Sequence, residues 1–121
     1  MLLEKEMIEN INQVPFLKTK MEIIEKLLEK QNYVEAYKAV AALIEIVCIQ
    51  ILENKYQTKV EDSNIVLLAS ILEQHGEKEL KERLVSINGE YEQIQLSKVK
   101  EFDVIALLAN LDDIVRFLGR T

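Results

Sequence analysis

Apolar side chains recur along this chain every three or four positions, the spacing of one face of an α-helix. Leu3, Met7 and Ile11 stand four apart and predict a short first helix over Met1–Ile11. Asn12-Gln13-Val14-Pro15 breaks it. Proline cannot continue a helix but suits the first turn of the next one. That next helix runs from Pro15 to about Glu29 on a stripe of Phe16, Leu17, Met21, Ile24, Leu27 and Leu28. Gln31-Asn32 reads as a turn, with Asn32 as N-cap of a long helix from Tyr33 to about Tyr56.

The long helix changes character along its length. Its first half is amphipathic, with Val34, Tyr37, Ala41 and Ile44 on one face. Between Ala39 and Leu52 it is apolar nearly all round, broken by Glu45 and Gln50. A helix apolar on most sides is covered from several sides, so this one belongs at the centre of the bundle. A polar loop over Lys55–Asp62 follows. Asp62 or Ser63 then caps a helix over Asn64–His75, with Ile65, Leu68, Ile71 and Leu72 inward and Gly76 as a left-handed terminator.

The helix beginning near Glu77 carries Leu80, Leu84, Ile87, Tyr91 and Ile94, a narrow 4-3-4-3 seam. Asn88-Gly89 is a strong turn signal inside it. The seam keeps its phase across the dipeptide, which predicts a kinked or weakened helix and not a hairpin. Ser97–Lys100 connects to a last helix over Glu101–Phe117, whose stripe is Val104, Leu107, Leu108, Leu111, Ile114, Val115 and Leu118. Gly119 closes it. The reading is an all-α fold: a single compact bundle of five to six helices, residues 1–121, around a long central apolar helix.

Composition supports that reading. Only 3 glycines and 1 proline occur in 121 residues, too few for a turn-rich sheet protein. The chain is 49% hydrophobic and 30% charged, which excludes disorder and a membrane-embedded body. The apolar run over Ala39–Leu52 is too short to span a bilayer. The N-terminus lacks the pattern of a signal peptide, so a cytoplasmic protein is expected. The net charge is −6 without a basic stripe, which disfavours nucleic-acid binding and fits solubility or a basic partner.

Candidate chemistry is sparse. His75 is the only histidine and Cys48 the only cysteine, so zinc sites of ordinary composition cannot form and no cofactor is expected. Cys48 lies in Ile46-Val47-Cys48-Ile49 and reads as a small core hydrophobe with a raised pKa. His75 sits before Gly76, where its imidazolium can meet the last carbonyls of a helix. Asp112-Asp113 and Glu90/Glu92 diverge around their helices, so neither makes a carboxylate pair. Glu45 stands out because a carboxylate in an apolar helix must find a partner, shift its pKa upward or look out between helices.

From about Met21 onward the layout resembles the HEPN superfamily of helical bundles. The resemblance lies in Lys26–Leu52, read through LLEKQNYVEAYKAVAALIEIVCIQIL, then a short helix ending at Gly76. A helix around LVSINGEYEQIQ and a closing helix FDVIALLANLDDIVRFL complete it. It implies a bundle that dimerises through its last helices. Family members often cleave RNA with an Arg-x4–6-His motif at the dimer interface. Here all three arginines, Arg83, Arg116 and Arg120, follow His75. The matching segment is Ser86–Glu92, where Ile87 stands at the arginine position and Asn88 at its polar neighbour. The resemblance therefore implies a non-catalytic relative.

Three functional expectations follow. The first is a non-enzymatic, HEPN-like protein-interaction module, a homodimer or a binder of a partner protein. The second is an acidic immunity or antitoxin-like bundle that neutralises a basic toxin, and the third is a ribonuclease with a divergent site. Glu45, Asn88 and Tyr91 are the candidate binding residues, with Tyr91 as core filler the competing reading. Asn32–Ala36 also looks like the start of a tetratricopeptide helix, but repeat folds need several copies and none follows.

Overall fold

A computed structural model of the chain describes residues 9, 11, 13–61, 64–94 and 98–119. Among the described residues five helices run in order: α1 (Pro15–Glu29), α2 (Tyr33–Tyr56), α3 (Ile65–Gln74), α4 (Lys78–Gln93) and α5 (Glu101–Gly119). Among the described residues there is no strand. The expected helix over Met1–Ile11 lies mostly outside those residues. Ile11 is described, and it is fully buried.

Each helix buries the stripe that its period lines up. In α1 these are Leu17, Met21, Ile24 and Leu28, with Pro15 in the first turn, whereas Phe16, expected on the stripe, is exposed and Leu27 only half-buried. In α5 they are Val104, Leu107, Leu108, Leu111, Ile114 and Val115. The expected place of Leu118 in that stripe lies outside the described residues. Helix α2 packs against α1, α3 and α5. From Leu43 to Leu52 none of its residues is exposed. Helices α3 and α4 form a close hairpin, and α4 also meets α5.

The turns are closed by the backbone. Gln31 takes a left-handed φ of 58°. Its N–H donates to Leu28 at 3.0 Å and that of Asn32 to Leu27 at 2.8 Å, a Schellman closure. Asn32 stands at the N-cap of α2 but makes no side-chain capping bond, contrary to expectation. Gly76, at φ 86°, repeats the motif after α3, with Glu77 N–H donating to Leu72 at 2.9 Å. The cap of α3 is a second correction. Asn64 serves as N-cap, its Oδ1 accepting from Leu67 N–H at 2.8 Å, and the helix starts one residue later at Ile65. The expected caps Asp62 and Ser63 lie outside the described residues. At α5, Asp103 accepts from the Lys100 N–H at 2.9 Å, holding the first turn from inside.

Helix α4 runs on through Asn88-Gly89, so the dipeptide makes no hairpin there, as expected. Leu84 and Ile87 before the dipeptide are buried, and Tyr91 after it packs on the core. That continuous seam outweighs the local turn preference. A Cβ at Gly89 would meet nothing within 4 Å. Gly89→Ala should therefore raise unfolding free energy by about 0.5–1 kcal/mol, because alanine loses less backbone freedom in a helix. Urea denaturation of the two proteins measures it.

Candidate functional site

The three nominated residues come from two helices far apart in sequence, and they line one groove. Glu45 projects from the middle of α2, while Asn88 and Tyr91 project from the second half of α4. The groove encloses about 570 Å³ and is completed by Lys38, Ala41 and Ala42 of α2 with Asn64, Ile65 and Val66 at the start of α3. Ala41 and Ala42 stand one turn before Glu45 and leave the space that larger side chains would fill. Sequence reading did not pick out these walls. The usable signal was a pair of alanines one helical turn before an acid.

All three residues are half-buried. Tyr91 stacks on buried Tyr37, ring centroids 5.8 Å apart and planes 22° apart, which fixes the Tyr91 ring against α2. Asn88 Nδ2 donates to Glu92 Oε1 at 3.4 Å along its own helix. Lys38, at the groove's other end, pairs with Glu35 at 3.9 Å. A second hollow of about 300 Å³ shares Ile65, Val66 and Asn88 and extends the groove along the α3–α4 seam past Val85. Val66 and Val85 are 62% and 52% exposed there, a large apolar exposure beside the polar Ser70, Glu73 and Lys81.

The groove therefore offers an apolar floor, two amides, a phenol, one acid and one base. This set suits recognition, because hydrogen-bonding groups on an apolar bed fix the orientation of a bound surface. Among the described residues no group of three or more His, Cys, Asp or Glu is arranged to hold a metal ion.

Elsewhere several polar groups are committed to structure. The ring of His75 lies flat on Tyr56, centroids 4.2 Å apart, and its Nε2 is 3.2 Å from Thr58 Oγ1. This corrects the expected contact with the helix-terminal carbonyls, which backbone N–H groups of the turn occupy instead. Arg83 Nη1 donates to Asp113 at 3.0 Å and to Asn110 at 3.1 Å, tying α4 to α5. Asp112 turns the other way, to Arg116 at 3.4 Å, so the adjacent aspartates do diverge.

Cys48 is fully buried, and burial, then the nearby charge of Glu45, pushes its thiol up to about 12 from 9.0. The folded state holds this proton more tightly than the unfolded state. Its share of stability is full below pH 9.0 and is lost as pH climbs toward about 12. At pH 8 an aromatic disulfide reagent should label Cys48 only after denaturant is added. Absorbance of the released thiolate reports it.

No helix among the described residues is long and apolar enough to cross a membrane. Comparison with known proteins returned no matching family model, no matching curated protein and no matching solved structure.

Proposed function

We propose that this chain is a non-enzymatic protein-interaction module with a HEPN-like layout, working in the cytoplasm as a homodimer. The observation that carries the reading is the groove where Glu45, Asn88 and Tyr91 meet beside exposed Val66 and Val85. The resemblance adds that such bundles pair through their last helices, and α4 supplies two of the three residues. Ile87, at the arginine position of the resemblance, is 2% exposed and belongs to the core. Apolar side chains beside half-buried polar groups are the composition of an interface centre.

Light scattering tests it. The wild-type protein should show twice the chain mass of 14.0 kDa. Val66→Glu should return it toward a single chain mass with its helical dichroism unchanged, because a carboxylate would be trapped in the contact. A wild-type mass of one chain at high micromolar concentration overturns the homodimer.

A second reading, the acidic immunity or antitoxin-like protein, is favoured by another feature: a cleft of aromatic rings and carboxylates at the α4–α5 end.

A further inference from the structure

The second cleft lies on α2, the end of α4 and the first turns of α5. Its walls are Tyr37, Glu90, Gln93, Ile94, Phe102 and Asp103, with Ala106 and Leu107 behind, enclosing about 520 Å³. Two carboxylates and two aromatic side chains line it, and among the described residues no cation does. Phe102 is 77% exposed, the most exposed large apolar side chain described. Such a ring on solvent gains only by being covered. Glu90 accepts the Ile94 N–H on its backbone carbonyl at 2.9 Å, while its carboxylate makes no hydrogen bond or ion pair among the described residues. Asp103 keeps one oxygen on the Lys100 N–H.

We propose that this cleft docks an arginine-bearing, partly apolar segment of a basic partner protein. The occupant follows from charge and shape together. A guanidinium is a planar, weakly hydrated cation that stacks on aromatic faces while donating to carboxylates. Phe102 supplies the ring, Glu90 and Asp103 the acceptors, and Ile94 with Leu107 an apolar bed for its neighbour. An ammonium, compact and strongly hydrated, uses the carboxylates but not the ring as well. The chain's net charge of −6 steers basic proteins rather than acidic ones toward it. Burial first, then Glu90 and Asp103, hold the Tyr37 phenol above its ordinary range, consistent with negative potential in the cleft. The inference rests on the acidic-partner reading and is independent of self-association through the groove.

The test titrates the full-length, isotope-labelled protein with a short peptide carrying Leu-Arg-Leu and with its citrulline counterpart, neutral but equal in shape. Amide shifts should centre on Glu90, Gln93, Phe102 and Asp103. Affinity should fall about tenfold or more for the citrulline peptide, for Glu90→Gln and for Phe102→Ala, the scale of a lost charge-assisted bond. It should also fall with added salt. Both substituted residues are exposed, and dichroism checks their fold. Equal binding of the citrulline peptide, or no effect of either substitution, overturns the proposal. Salt-sensitive binding whose shifts lie elsewhere removes this cleft but leaves a basic partner in place. No salt-sensitive binding at all removes both.

Discussion

Replacing Ile44 with alanine is expected to lower the unfolding free energy by about 2–5 kcal/mol. Ile44 is fully buried in α2, at the start of the stretch that no solvent reaches freely. Truncation removes three carbons from water-excluded packing and leaves a cavity that rigid helices close only in part. Alanine's better helix propensity returns a few tenths of a kcal/mol, too little to change the sign. Native domains are stable by only about 5–15 kcal/mol, so the loss is a large fraction of the whole. Chemical denaturation, with Glu53→Ala as an exposed control on the same helix, measures it. The control should change by less than about 0.5 kcal/mol. Equal effects at the two positions would mean that α2 is not covered where its buried residues indicate.

The second large effect is expected at Ile87→Arg. This substitution places an arginine at the position where the resemblance puts the family's catalytic residue. Ile87 is 2% exposed, on the same seam as fully buried Leu80 and Leu84. A guanidinium there loses its water without a prepared carboxylate. Burial of an unpaired charge costs about 3–5 kcal/mol, enough to unfold a marginal domain. Thermal unfolding by dichroism should show a broad transition or none. A variant as stable as wild type would place residue 87 at a surface. The arginine position would then be open to solvent or a second subunit.

How legible the molecule was depended on the range of the forces involved. The buried stripe of α1, Leu17, Met21, Ile24 and Leu28, is visible in sequence because 3.6 residues per turn maps spacing onto a face. Gly76 is visible as a terminator because a left-handed φ is a property of one residue. The cap of α3 was legible only as chemistry. Asp62, Ser63 and Asn64 all suit an N-cap, and the packing register of Ile65 and Leu68 selects Asn64. At Asn88-Gly89 a local turn preference met a continuous seam, and the seam's burial outweighed it. Arg83 gave no hint of its bonds to Asn110 and Asp113, since α4 and α5 must first be laid side by side.

The candidate site follows the same division. Glu45 drew notice as a carboxylate in an apolar helix, Asn88 and Tyr91 through the resemblance. That they share a groove could not be read from their separation along the chain. It depends on the rotation of α4 against α2 and on how closely α3 approaches, both set by side chains filling space between helices. By itself the sequence determined that the chain coils into helices and which stripe of each turns inward, because those follow from the backbone's period. Only the tertiary structure decided which polar residues face one another across those helices, because that choice rests on long-range packing.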